Sequence, residues 1–262
     1  MDAVANHCRV GPDDRLSIRW PAPVPDGRRV VLRHRKSGET RAEPITGDRC
    51  SAELDAGDLA PGKWTVLIAA GTAASDGAES PLLTDDPGFS LAGLRAYADL
   101  PRDRAVRVVR AADGRAALTV RNVAPHAEVE AVHPRDGEIG IVGRLAYAGP
   151  RPGESARLVA AARDGGATVS RDVRLDGTAF HGRLPIDAFA AAEPALWDLW
   201  LDVGDVHARL ATRLDDAPGK RGKLSYPRQA AAHGGREMAV RPYYTDRDQL
   251  SIASSLVEDD PK

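Results

Sequence analysis

The stretch ALWDLWLDVGD, residues 195–205, sets tryptophan and aspartate side chains at a spacing that suits sugar binding. Residues two apart on a β-strand share a face, so a strand here points Asp198, Trp200 and Asp202 the same way. A flat indole can pack on the C–H groups of a sugar ring, and carboxylates accept hydrogen bonds from its hydroxyl groups. The sequence therefore predicts a saccharide platform at Trp200. The structural alternative is that Trp200 fills a seam between two domains or lies under the segment 213–227.

Aromatic and imidazole side chains elsewhere supply further candidates. The tyrosines of RPYYTDRDQLSI are adjacent on an expected strand, so one faces inward and the other is free to contact a ligand. Two histidines join them because they break the symmetry of an internal repeat within the chain. The predicted ligand-binding residues are Trp200, Asp198, Asp202, Tyr243, Tyr244, His126 and His181.

The segment HAEVEAVH, residues 126–133, resembles a metal site at first sight. On a strand His126, Glu128 and Glu130 share one face, and a zinc ion would need His133 or another histidine as well. The alternative is that the segment simply alternates polar and apolar residues along a strand, with the polar face outward. No cysteine pair or HExxH motif accompanies the segment, so no metal site is predicted.

Motifs of the common catalytic and cofactor-binding sites are missing from the sequence. There is no G-x-S-x-G nucleophile elbow, no catalytic cysteine signature and no S-x-x-K motif. The glycines of GEIGIVG, residues 137–143, lack the spacing and the strand–helix context of a dinucleotide fingerprint. The sequence thus nominates no catalytic residue and no cofactor, and it favours a protein that is not an enzyme.

An internal repeat determines the predicted architecture. KWTVLIAAG, residues 63–71, matches LWDLWLDVG, residues 196–204, with Trp64 aligned on Trp197. Because both copies keep this tryptophan face, we expect Trp64 and Trp197 to be core residues. The predicted organisation is an N-terminal tail 1–9, a first copy 10–122, a second copy 126–255 and a C-terminal tail 256–262.

Each copy carries the pattern of a β-sandwich. Short β-branched or alternating stretches follow one another, separated by clusters of glycine, proline and aspartate. Short helical turns are expected only at 56–60 and 186–193. The predicted fold class is all-β: two tandem immunoglobulin-like β-sandwich domains related by internal duplication.

Composition narrows the partners and the compartment. Among the 262 residues, 42% are hydrophobic and the net charge is −2, which supports a packed core and gives no electrostatic case for nucleic acid. No stretch is long and apolar enough for a signal peptide or membrane insertion. Two cysteines, Cys8 and Cys50, fit a reduced cytoplasmic protein, although a disulfide between them stays open. Arginine far outnumbers lysine, a bias typical of GC-rich actinobacterial genomes.

The second copy also resembles a known group of domains. WDLWLDVGDVHARLATRLDDAPGKRGKLSYP followed by RPYYTDRDQLSI is similar to a β-sandwich region of actinobacterial proteins. That region often follows the catalytic domain of family-2-type glycosyltransferases or glycerol-phosphate-type transferases of the cell envelope. The resemblance implies an accessory role in oligomerisation or polymer contact. The sequence has no long α/β segment and no DxD motif in context, so no transferase activity is carried over.

Three hypotheses follow. The first is a non-catalytic accessory or binding protein of glycan or envelope-polymer synthesis, with a saccharide or a transferase as partner. The second is a small enzyme of specialised metabolism whose pocket lies at the seam between the copies, where ligand sites are common. The third is a structural scaffold that forms homo-oligomers through exposed sheet edges.

Overall fold

The computed structural model describes residues 4–45, 47–71, 78–215 and 217–257. Regular structure in these residues is almost entirely β-strand, so the predicted all-β class is confirmed. The chain divides into two compact units. Unit 1 comprises the chain up to Tyr97 together with Arg102–Ala124, and unit 2 comprises Ala98–Pro101 together with the chain from Pro125 onward.

Unit 1 is a sandwich of two sheets. The elements in the first part of the chain are β1 (Val4–Ala5), β2 (His7–Val10), β3 (Arg15–Arg19), β4 (Arg28–His34), β5 (Thr40–Pro44), β6 (Ser51–Asp55), β7 (Gly62–Ala70), β8 (Glu79–Pro81), β9 (Leu83–Thr84), α1 (Leu91–Ala98), β10 (Arg104–Arg110) and β11 (Ala116–Asn122). One sheet has the order β2-β3-β6, and the other has the order β10-β11-β7-β4-β5 with β8 paired to β7. Leu16 and Leu54 from the first sheet meet Leu32 and Trp64 from the second in one core. This face-to-face packing of two sheets is the arrangement of immunoglobulin-like domains.

Unit 2 repeats this arrangement. Its elements are β12 (His126–Arg135), β13 (Glu138–Ala146), β14 (Ala156–Ala162), β15 (Thr168–Val173), β16 (Leu175–Asp176), β17 (Ala179–Pro185), α2 (Ile186–Ala190), β18 (Ala195–Val203), β19 (Val206–Ala211), β20 (Gln229–His233), β21 (Arg236–Tyr244) and β22 (Leu250–Leu256). One layer has the order β16-β17-β13-β12, and the other has the order β19-β18-β22-β21-β20 with β14 and β15 beside β18. A parallel pairing of β12 with β19 joins the two layers. Ile141 and Leu184 from the first layer share a core with Leu158 and Leu199 from the second.

The strand pairings of the two units correspond element by element. Strands β4, β7, β11 and β10 pair in the same succession as β14, β18, β22 and β21. Leu118 lies opposite Trp64 on β7, as Ile252 lies opposite Trp197 on β18. Even the short parallel pair of β1 and β9 recurs, as the pairing between β12 and β19. Matching pairings at matching registers are what an internal duplication produces.

Two tryptophans occupy equivalent core positions. Trp64 and Trp197 are both fully buried, as the repeat predicted. The indole Nε1 of Trp64 donates to the carbonyl oxygen of Ala60 at 2.9 Å, and that of Trp197 donates to Ser254 Oγ at 3.0 Å. Each ring thus buries its apolar body while its only polar atom stays hydrogen-bonded, as a buried indole requires.

The predicted tails differ from the structure. Residues 1–9 were expected to be a tail, but β1 and most of β2 lie there, with Ala5 and Cys8 fully buried. Thr84 Oγ1 also donates to the carbonyl oxygen of Ala5 at 3.0 Å, which fixes β1 in the fold. At the other end β22 includes Leu256, the first residue of the expected C-terminal tail, while 258–262 lie outside the described residues.

Both cysteines are free thiols, so they form no disulfide with each other. Cys8 is buried in the core of unit 1, whereas Cys50 is half-buried. Burial, aided by the nearby carboxylate of Asp86, raises the pKa of the Cys8 thiol to about 12. Cys8 is therefore a protonated core side chain at neutral pH rather than a nucleophile.

Candidate functional site

The platform predicted at Trp200 lies on the outward face of β18 in unit 2. Along this strand Trp197, Leu199 and Leu201 are fully buried, and the residues between them are half-buried. Strand alternation therefore places Asp198, Trp200 and Asp202 together on the face that points away from the core.

A tight hairpin adds a histidine to this face. Gly204 and Asp205 form the two-residue turn between β18 and β19, and Gly204 has a φ of 54°, which glycine adopts without strain. The turn sets His207 opposite Asp202, with His207 Nδ1 at 2.5 Å from Asp202 Oδ1. A carboxylate only accepts hydrogen bonds, so Nδ1 carries the proton of this contact.

The imidazole of His207 stacks on the indole of Trp200. The two ring centroids are 4.0 Å apart, and the ring planes differ by 13°. The stacked pair fixes the orientation of the indole, because Asp202 holds His207 from the other side. Sequence reasoning missed His207, although its place opposite Asp202 in the strand after the turn, diagonal to Trp200, was a usable signal.

Asp198 is fixed by two arginines. Arg163 Nε and Nη2 donate to Asp198 Oδ1 at 3.0 and 2.9 Å, and Arg209 Nη2 donates to the same oxygen at 2.8 Å. Ser251 Oγ donates to this oxygen as well, at 3.3 Å. The hydrogen bond to Asp198 is the main cause that raises the pKa of Arg163. The donors from both arginines and from Ser251 therefore all converge on Oδ1 of this carboxylate.

Arg209 is the buried support of this network. Its Nη1 donates to the carbonyl oxygens of Leu199 and Leu250 at 2.6 and 2.8 Å. Burial lowers the pKa of Arg209 to about 10, while the charge of Asp198 opposes that change. The guanidinium thus stays charged at neutral pH and connects the backbone of two strands to the carboxylate beside Trp200.

The network leaves hydrogen-bond acceptors beside the indole. Among the described residues, no hydrogen bond reaches the Oδ2 atom of Asp198 or of Asp202. Both side chains are about one-third exposed or more, at 32% and 42%. One free carboxylate oxygen therefore stands on each side of Trp200.

The remaining predicted residues do not all join this face. Tyr243 does lie on it, opposite Ser251, but its hydroxyl group is enclosed. Tyr244 points into the core beside Tyr226, and burial raises its pKa. Of the two tyrosines, Tyr244 is therefore the one that faces inward.

The two predicted histidines also lie apart from Trp200. His181 is exposed on β17, which belongs to the other layer of unit 2. His126 was expected on the solvent face with Glu128, but both are buried and their side chains form a hydrogen bond of 2.9 Å. The carboxylate of Glu128 also accepts hydrogen bonds from the backbone N–H groups of Arg213 and Leu214, so it links β12 to the segment that follows β19.

The equivalent face of unit 1 has a different character. There the position of Trp200 is taken by Leu67, which is buried in a small apolar cluster with Val31 and Ala69. Among the described residues, this face of unit 2 therefore carries an indole, an imidazole and two carboxylates where the equivalent face of unit 1 carries an apolar cluster.

The described residues contain no group of three or more histidine, cysteine, aspartate or glutamate side chains arranged to hold a metal ion. None of the described helices has the length and apolar character needed to cross a membrane.

Comparisons with known proteins add little beyond the architecture. No protein-family model matches the chain. No curated protein matches it in sequence. Two crystal structures of S. aureus TarS are similar: one at 14% identity over 59% of this chain, with a TM-score of 0.43, and one at 13% over 58%, with a TM-score of 0.41. The chain covers only 28% and 44% of those two chains.

A two-domain fibronectin type III segment from chicken tenascin is also similar. The identity is 14%, the match covers 78% of this chain and 94% of that one, and the TM-score is 0.26. Identities and TM-scores this low carry no argument about function.

Proposed function

We propose that the chain is a non-catalytic binding protein that holds a saccharide on the Trp200 face of unit 2. The observation that carries the proposal is the fixed orientation of the Trp200 indole between two carboxylates, each with an unused oxygen. The sequence resemblance to sandwich domains of envelope transferases favours a sugar of a cell-envelope polymer as the ligand.

The side chains on this face match the chemistry of a neutral sugar. His207 covers one face of the indole, so the proposal places the C–H groups of a pyranose on the remaining apolar face. The oxygens of Asp198 and Asp202 accept hydrogen bonds from hydroxyl groups on either side. Because the neighbouring residues already hold both carboxylates in place, little side-chain entropy is lost on binding.

The test is binding of the full chain to an array of oligosaccharides that includes cell-envelope fragments. We expect Trp200→Ala to weaken the best ligand about five- to tenfold, since an aromatic contact contributes roughly 1 kcal/mol beyond area burial. We expect Trp200→Phe to retain part of the affinity, because an aromatic face remains.

His181→Ala is the matched control, because His181 is an exposed aromatic side chain on the other layer of the same unit. Its binding and melting temperature are expected to equal those of the unaltered chain. If no saccharide binds, or if Trp200→Ala lowers the melting temperature without any change in binding, the indole is structural and the proposal is wrong.

A further inference from the structure

Unit 1 contains a cleft of its own. It has a volume of about 380 Å³ and lies between the outward faces of β2 and β3, the strand β10 and the first turns of α1. None of the residues predicted from the sequence lines it.

The wall of the cleft carries two arginines without partners. Arg15 on β3 and Arg107 on β10 both line it, and neither guanidinium makes a hydrogen bond or ion pair in the described part of the chain. Arg9 also lines the cleft, but its Nε is bound to Asp86 at 2.9 Å. Burial lowers the pKa of His7 although Asp86 opposes it, so His7 adds no charge at neutral pH.

Apolar side chains also line the cleft. Phe89, which is 42% exposed, lines the cleft with Leu94 of α1 and with Val106 and Val108 of β10. An exposed phenylalanine beside a concave apolar surface is the lining typical of a small-molecule site.

Acidic residues of the lining leave the arginines available. Asp13 Oδ1 accepts the backbone N–H of Arg15 at 3.3 Å, and the described residues give Glu53 no partner. In unit 2 the equivalent positions of Arg15 and Glu53 hold Glu138 and Arg183, which neutralise each other in an ion pair of 3.3 Å. Unit 1 keeps both charges unpaired on the same sheet face.

We propose that this cleft binds a small amphipathic anion, in which an apolar ring or chain carries a carboxylate or phosphate group. The apolar part packs on Phe89 and Leu94, and the anionic group lies between the guanidinium groups of Arg15 and Arg107. Arginine suits this task because its planar donor fork matches the oxygens of carboxylate and phosphate. The inference is independent of the saccharide face, since all lining residues belong to unit 1.

The experiment compares two fluorescent probes on the full chain. 8-Anilinonaphthalene-1-sulfonate and N-phenyl-1-naphthylamine share one ring system, but only the first carries a negative charge. We expect the anionic probe to bind about fivefold or more tightly than the neutral one. In the double variant Arg15→Gln/Arg107→Gln the two affinities become equal, and Phe89→Ala weakens both probes.

Two further variants sharpen the test. Arg19→Gln removes an arginine from the same face of β3 that does not line the cleft, and it is expected to change the preference for the anionic probe far less than the double variant does. Glu53→Gln removes the opposing carboxylate, and it is expected to tighten the anionic probe about two- to threefold.

Competition separates the two head groups. Displacement of the anionic probe by octanoate indicates a carboxylate ligand, and displacement by octyl phosphate indicates a phosphate ligand. The proposal is wrong if neither compound displaces the probe, if both probes bind equally to the unaltered chain, or if the double variant keeps the preference while its melting temperature is unchanged.

Discussion

At the scale of single residues, the buried guanidinium of Arg209 stabilises the candidate site beside Trp200. Removing Arg209 leaves the carbonyl oxygens of Leu199 and Leu250 without this donor, and it removes one of the two arginines that bind Asp198. We expect Arg209→Met to lower the free energy of unfolding by about 2–4 kcal/mol, because unpaired buried polar groups are costly. Urea unfolding measures the loss.

Arg163 provides the comparison for that prediction. It contacts the same oxygen of Asp198 but is 39% exposed, so Arg163→Met is expected to cost less than about 1 kcal/mol. Equal losses in the two variants would mean that burial of Arg209 does not set the strength of the network.

Asp86 in unit 1 makes stability depend on pH. Burial favours the neutral acid, but hydrogen bonds from Arg9 and from the backbone N–H groups of Gly88 and Cys8 outweigh it and lower the pKa of Asp86. A lowered folded-state pKa stabilises the fold above the unfolded value near about 4, and this stabilisation disappears as the pH falls through the folded-state pKa.

Asp86→Asn tests this pH dependence. The backbone N–H groups of Gly88 and Cys8 donate to the two different carboxylate oxygens of Asp86, and an asparagine side chain offers only one acceptor oxygen. We expect the variant to lose about 1–3 kcal/mol of unfolding free energy at pH 7. The difference from the unaltered chain should shrink as the pH falls below about 4. Asp26→Asn removes a carboxylate that is 89% exposed, and its unfolding curve should match that of the unaltered chain at every pH. A difference for Asp86→Asn that stays constant with pH would contradict the assignment.

The sequence predicted the outward residues of β18 better than those of β12. Alternation is regular along β18, so Asp198, Trp200 and Asp202 could be assigned to one face. On β12 the register shifts between Val129 and Ala131, which separates the face of His126 from the pattern that follows. The burial of Glu128 also depends on backbone donors 85 and 86 residues away, which no local pattern contains.

At the scale of elements, the exposed edge strand β5 is protected against pairing. β5 ends the order of strands in its sheet, and all of its residues are exposed. Arg41 forms ion pairs with Glu39 and Asp58, and Pro44 closes the strand without a backbone donor. Charges and proline on an edge strand oppose addition of another chain.

Removing these charges should therefore allow association. We expect Arg41→Val/Glu43→Val to form dimers or larger species in analytical ultracentrifugation, while the unaltered chain shows no association through this edge. Glu138→Val/Arg183→Val is the control, because it removes an exposed charge pair from strands other than β5: β13 is paired on both sides, and β17 is paired with β13 and, at Ala179 and Phe180, with β16. An unaltered chain that dimerises through β5 would instead favour the scaffold hypothesis.

Helices were less predictable than strands. The short helix expected at 186–193 exists as α2, Ile186–Ala190, and the turn expected at 56–60 contains no helix. Helix α1, Leu91–Ala98, was missed because it is only eight residues long and buries only Tyr97 and Ala98 at its end, while Leu91 is exposed. Without α1, the sequence could not indicate the cleft of unit 1.

At the scale of the whole molecule, the repeat was the most informative signal. The match of Trp64 with Trp197 fixed the alignment of the two copies, and the strand pairings follow that alignment. The cleft of unit 1 escaped detection because its lining comes from segments far apart in the chain, and because the copies differ there in charge rather than in pattern.

The equivalence of β7 and β18 has a consequence for how the protein could change over generations. Leu67 and Trp200 occupy equivalent positions in the two units, opposite Val31 and Val159 respectively. A mutation at one of these positions leaves the residue in the other unit unchanged, so one unit could gain a recognition surface while the other keeps the inherited apolar cluster. Distant relatives are then best recognised by which unit carries an aromatic residue at this position, even where overall similarity is low.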